Sequence, residues 1–251
     1  MEMMKYREKG GKSIQGEVKG ERNDVMHQYD LIEDIIIAHR YTNIDPELPN
    51  VDLIGSQRDI EDTAEVVRDI MTGAGALEAL TYIHNSKEDL TENIEREEGN
   101  FVKVDNPLSE DYSALRDLIT PSLLEVLKQN KHRAYPQEFF ETGTVTELDE
   151  SSTGASNRKK MAYIKSGANT DFTDAREKLQ VLERDLGLEI DVETDERPFF
   201  QDSRAGKILV EGKEIGFIGQ FSEQILENWE LNHPTAGFEL DLEKVQEHLK
   251  K

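Results

Sequence analysis

The stretch "GKILVEGKEIGFIGQF", Gly206 to Phe221, limits the fold more than any other part of this chain. Two runs rich in Ile, Leu, Val and Phe flank Glu211-Gly212-Lys213-Glu214, and so short a turn returns a strand antiparallel to itself. A parallel pair would need a crossover of roughly a dozen residues or more. Further β-prone pieces are "ALEALTYIH" (76–84), Glu138 to Val145, Met161 to Lys165, "LEIDVET" (188–194) and "AGFELDL" (236–242), with "DESSTGASNRKK" (149–160) expected as a polar loop. Between them lie helical periods. Ile60, Ala64, Val67, Ile70 and Met71 share one face and stop at Gly73 and Gly75. Thr120 is a candidate N-cap before Pro121, and a helix over Phe172 to Asp185 ends at Gly187, with a short helix at the C-terminus. Strands and helices mixed without regular alternation imply an α+β domain, an antiparallel or mixed sheet with helices on one side.

Residues 1–50 read differently. Gly10-Gly11 inside short alternating pieces suits a hairpin, a helix is expected from Asp30 through Leu31, Ile32, Ile35 and Ile36, and "YTNIDPELPN" with Pro46 and Pro49 forms a linker. The expected organisation is therefore a small unit over 1–50 and a larger one over 51–251.

Apolar residues make up 36% and charged residues 33% of the chain, polar for a globular protein yet patterned well enough to fold. The net charge of −23 argues against a broad nucleic-acid footprint, which needs a basic stripe; residues 1–23 are a local exception, with six basic against four acidic side chains. The absence of cysteine excludes disulfides, thiolate zinc and a thiol nucleophile. No unbroken apolar run is longer than Ile35 to Ala38, so no membrane span is expected and the chain reads as soluble and cytoplasmic.

"RNDVMHQYDLIEDI" (22–35) holds the most concentrated acidic chemistry: Asp24, Asp30, Glu33 and Asp34. On a helix Asp30, Glu33 and Asp34 share one face, a set of oxygen donors suited to Mg²⁺ or Ca²⁺. Equally, Asp30 as N-cap, Glu33 as its capping-box partner and the helix dipole explain the same residues, and spacing by itself favours that explanation. The six histidines show no close metal spacing, and no phosphate loop or nucleophile elbow occurs. Phe139 and Phe140 fall on opposite sides of a strand, which makes both packing residues, and Trp229 reads as a buried anchor.

Three longer stretches are more specific: "RNDVMHQYDLIEDIIIAHRYTNIDPELP", "VDNPLSEDYSALRDLITPSLLEVLKQN" and "GKEIGFIGQFSEQILENWELNHPTAGFELDL". In this order they resemble the C-terminal part of the β subunit of phenylalanine-tRNA ligase, of the archaeal and eukaryotic type. The strongest signals are Asn106-Pro107, Ser109, Tyr112-Ser113, Leu115-Arg116, Pro121 to Leu124 and Gly216 to Gly219. The resemblance implies a small metal-associated domain, here partial, followed by a class II synthetase-like core that performs no catalysis. It implies Mg²⁺ at Asp24, Asp30, Glu33 and Asp34, shared with the α subunit, and so turns the acidic cluster toward metal. It implies a heterotetramer of two α and two β subunits in which α uses ATP to join phenylalanine to tRNA(Phe), with the helix over Ser56 to Thr72 and the adjoining strand contacting α.

Active class II enzymes carry phosphate-gripping arginines on the second and third of their sequence motifs. Here "PQEFFETG" and "TAGFELDLEKV" hold none, and no arginine follows Arg204, so no catalytic residue is expected. Family members extend upstream into a tRNA-editing domain, so editing is expected to be absent. The competing expectations are a free-standing synthetase-like binding module and, more remotely, an independent enzyme.

Overall fold

A computed structural model describes residues 4–9, 13–18, 20–49, 55–97 and 99–249. The chain divides into two compact units, Met1–Gly55 and Ser56–Lys251.

In the smaller unit, β1 (Met4–Lys9) and β2 (Ser13–Val18) pair antiparallel from Met4 opposite Val18 to Lys9 opposite Ser13. Gly10 and Gly11, the expected turn, lie outside the described residues. Helix α1 (Gln28–His39) begins earlier than the spacing predicts, because His27 is its N-cap and Asp30 occupies the third helical position. Asp30 Oδ2 reaches back to accept from Met26 N at 2.8 Å and His27 N at 2.7 Å. Asp30 is thus the reciprocal partner of a capping box, not its cap, and Glu33 has no part in it. No residue of α1 is buried, and Ile32, Ile35 and Ile37 are exposed.

The larger unit runs α2 (Asp59–Gly73), β3 (Leu77–Glu78), β4 (His84–Asn85), α3 (Lys87–Leu90), β5 (Val102–Lys103), β6 (Ala114–Leu115), α4 (Thr120–Gln129), β7 (Gln137–Leu148), β8 (Ala155–Ser166), α5 (Phe172–Leu186), β9 (Ile190–Thr194), β10 (Phe200–Val210), β11 (Lys213–Phe221), α6 (Glu223–Asn228), β12 (Thr235–Asp241) and α7 (Leu242–Leu249). Seven strands form one sheet in the order β3-β7-β8-β12-β11-β10-β9, antiparallel except for β3 on β7. β4, β6 and β5 make a small separate sheet. The expected mixed α+β architecture is present.

Helices cover both faces of the large sheet rather than one. Met161 and Tyr163 of β8 pack with α2, α5 and α7, whereas Ala162 and Ile164 pack with Leu123, Leu124 and Leu127 of α4, Ile225 of α6 and Trp229. A continuous apolar run in a central strand has two faces to bury, so one helical layer cannot suffice. Phe140 joins the first layer and Phe139 the second, as the alternation predicts.

Two other expectations change. "ALEALTYIH" is not one strand: Leu77–Glu78 borders the large sheet, His84–Asn85 belongs to the small one, and Thr81 between them is held by Arg116 and Glu141. "DESSTGASNRKK" is a loop only to Gly154, since β8 begins at Ala155 opposite Leu148. Lys159 and Lys160 sit in that strand because carboxylates neutralise them, Lys159 to Glu61 and Lys160 to Glu147, each at 2.8 Å. The Gly206–Phe221 hairpin forms as expected, with Glu211 and Gly212 at positive φ in its turn, and Gly187 ends α5 in the left-handed conformation.

Candidate functional site

Three features bear on function. The first is the acidic helix start. Arg22 binds Asp24 (2.6 Å) and Asp34 (3.0 Å), and Asp30 spends Oδ2 on two backbone amides. Asp24 is held below the usual carboxylate range by Arg22, and Asp30 by the amides of His27 and Met26. A guanidinium therefore stands between two of the four predicted ligands, and Glu33 joins neither pair. Among the described residues no group of three His, Asp or Glu side chains converges for a metal. As arranged in this chain, Asp24, Asp30, Glu33 and Asp34 do not fit a cation shell by themselves.

The second feature is the sheet face beneath α4. It is filled: Phe199, Phe200, Phe217, Phe221 and Trp229 belong to the same buried cluster as the helix's leucines. Phe200 lies on Gly219, where a Cβ would strike its ring, so the glycine is needed for that packing. Buried charges complete this layer. Arg116 pairs with Glu141 at 2.6 Å, the two side chains 2% and 1% exposed, and also donates to Thr81, Ser122 and the Thr144 carbonyl. Gly143 makes room for the guanidinium. Burying an ion pair is tolerable only with such extra bonds. Asp117 binds Arg96 at 2.8 Å nearby.

Glu239 of β12 reaches the start of α4 and accepts from Ile119 N, Thr120 N and Thr120 Oγ1. Thr120 is thus the first helical residue and no side-chain cap, correcting the sequence expectation; the acceptor comes from a distant strand. Burial pushes the Glu239 carboxyl upward, against Lys160 and the Thr120 and Ile119 donors. Sequence reasoning missed this network. Its visible trace was Arg116, a charge inside the apolar run "ALRDLI".

The opposite face holds a cavity of about 750 Å³ lined by Glu138, Tyr163, Lys165, Asp174 and Lys178, among others. Its cations are engaged: Lys165 with Asp174 (2.6 Å), Lys178 with Glu138 (2.8 Å) and with the Ala74 carbonyl that ends α2 (2.7 Å). Burial pushes Glu138 up, but Lys178 and Tyr163 outweigh it and leave its pKa lowered. These ions tie α2 to α5 and the sheet.

The third feature is an exposed apolar edge. Leu77 in the short strand β3 and Leu80 just after it are exposed, and Tyr82, Leu108 and Tyr112, also exposed, line a cavity of about 470 Å³. Leu80 is 93% exposed and Leu108 fully so. Tyr82 and Tyr112 meet edge to face, 6.4 Å between centroids. Asp62, Glu65, Val66 and Asp69 are exposed on α2. Large apolar side chains are thus left exposed beside a short edge strand of the large sheet.

A profile described as the phenylalanyl tRNA synthetase beta chain CLM domain matches residues 44–242. The chain belongs to this family. The phenylalanine-tRNA ligase beta subunit of Pyrococcus furiosus is 42% identical over 225 residues, 89% of this chain and 40% of its own length. Those of Thermococcus kodakarensis and Methanococcus maripaludis are 37% and 34% identical, over 88% of this chain and 41% of theirs. The chain thus spans about two-fifths of these relatives' length. The family match includes α2, the exposed edge and both sheet faces; Asp24, Asp30, Glu33 and Asp34 precede it.

Proposed function

We propose that this chain is a non-catalytic portion of a phenylalanine-tRNA ligase beta subunit, scaffolding a catalytic α subunit that joins phenylalanine to tRNA(Phe) at the expense of ATP. The observation that carries the reading is the family match across 44–242. The larger unit then corresponds to a class II synthetase-like core, and the smaller to part of a metal-associated domain. Support for catalytic silence comes from the face under α4. Where a substrate would need a cleft and cationic forks, aromatic rings fill the space and Arg116 is committed to Glu141.

The α contact falls on α2 with the Leu77, Leu80, Tyr82 and Leu108 edge. Lys178 on the end of α2 and Lys159 on Glu61 near its start would hold that helix ready for docking, lowering the ordering cost of association. Mg²⁺ would be held through Asp24, Asp30, Glu33 and Asp34 only in the assembled state, after Arg22 releases Asp24 and Asp34; there it would neutralise the acidic cluster against the α surface. Assembly as a cytoplasmic heterotetramer of two α and two β belongs to the same reading.

Co-expression with an α subunit is the test. Stable co-purification and phenylalanine attachment to tRNA(Phe) are expected from the pair, with no ATP turnover by this chain alone. A chain that stays apart from α, or turns over ATP unaided, would sink the proposal.

A further inference from the structure

We infer that the N-terminus of α4 is an anion site which the chain fills with its own Glu239 carboxylate, and which takes a small free carboxylate when that side chain is removed. The donors converge tightly. Glu239 Oε2 accepts from Ile119 N at 3.0 Å, Thr120 N at 2.9 Å and Thr120 Oγ1 at 2.8 Å. Such amides carry the positive end of the helix dipole, and isolated anions bind there readily. Helices usually satisfy them locally with Ser, Thr, Asp or Asn at the cap. Here the cap position is Ile119, which has no side chain able to do so. The acceptor arrives instead from 119 residues further along the chain.

The second oxygen makes the site more than a cap. Glu239 Oε1 is buried and has no hydrogen-bond partner among the described residues; Lys160 Nζ lies 3.9 Å away. That ammonium is already held by the Asp117 carbonyl and Glu147, both at 2.8 Å. The pocket therefore presents two amides, one hydroxyl and a nearby fixed cation to a carboxylate whose side chain is 2% exposed. This arrangement concerns the larger unit alone and stands whether or not the chain joins an α subunit.

Glu239→Ala removes the length of one acetate ion and leaves the donors in place. The variant is expected to melt on the order of 5 to 10 °C lower, since a buried charge-assisted cluster is lost. Sodium acetate should then recover several degrees of that loss in a saturable way, while sodium chloride of equal ionic strength recovers none and neither salt moves the wild type. Glu239→Gln keeps the space filled, folds, and should not respond to acetate. If Glu239→Ala is unfolded in chloride, recovery of its far-ultraviolet circular dichroism by acetate is the same readout. Equal effects of acetate and chloride on the alanine variant, no recovery by acetate, or an equal response from Glu239→Gln would each overturn the inference.

Discussion

The face beneath α4 and the edge at β3 invert the usual placement of polar and apolar groups. The buried face holds Arg116, Glu141 and Glu239, all at most 2% exposed, while the edge leaves Leu80 and Leu108 almost wholly in solvent. Burying charge is costly and exposing a large leucine forfeits its transfer energy, so each arrangement needs a reason. Inside, the reason is internal: every Arg116 donor group used is met by an oxygen of this unit. Outside, no partner is supplied by the described residues. The contrast separates what the fold completes for itself from what it leaves exposed.

Breaking the internal side should have the largest effect. Arg116→Ala strands Glu141 in the core and should cost about 3 to 5 kcal/mol, the range for an orphaned buried charge. Denaturant midpoints will measure it. An unchanged midpoint would mean that water reaches Glu141 and that the face is less closed than its packing indicates.

The edge should behave in the opposite way. Leu80→Asp with Leu108→Asp should change stability by no more than about 0.5 kcal/mol, as exposed substitutions do. Capture of the α subunit should weaken by about 2 kcal/mol or more, the scale of interface anchors. A double variant that binds α normally moves the contact away from this edge and leaves its exposed leucines without a role.

The same contrast explains what could be read from sequence. The Gly206–Phe221 hairpin was legible because its turn and its pairing partner lie within one short stretch. Gly187 was legible for the same local reason. Strand β8 was hidden at Arg158, Lys159 and Lys160, since the carboxylates that neutralise them lie as far away as Glu61 and Glu243. The α4 cap was misassigned because Thr120 has the right chemistry locally, and nothing adjacent announces that Glu239 arrives to supply the acceptor. The second helical layer was missed although Met161 to Ile164 is an apolar run without alternation, because only tertiary packing says what covers each side. The family resemblance, by contrast, was carried by particular residues such as Asn106-Pro107 and Leu115-Arg116, and needed no tertiary information.

The acidic start of α1 stands between the two extremes and offers the smallest effect. Its carboxylates are exposed (Asp24, Glu33) or half-buried (Asp30, Asp34), and partly satisfied, like the interior: Asp30 by two amides, Asp24 and Asp34 by Arg22. For the chain alone, Asp30→Ala should fray α1, read as a modest loss of helical circular dichroism, whether or not Mg²⁺ is present. Acid should act the same way. The folded Asp30 pKa is lowered, so its contribution is complete above the ordinary carboxylate range and fades as pH falls through the depressed value. With α present the outcomes should diverge: Mg²⁺ should raise the melting temperature of the wild-type assembly and leave that of Asp30→Ala where it was. Mg²⁺ that stabilises neither assembly would reduce Asp24, Asp30, Glu33 and Asp34 to helix capping and charge pairing. Stabilisation of the isolated wild type would mean that Arg22 yields to the metal without any partner, and would bring this region closer to the self-contained interior than to the edge.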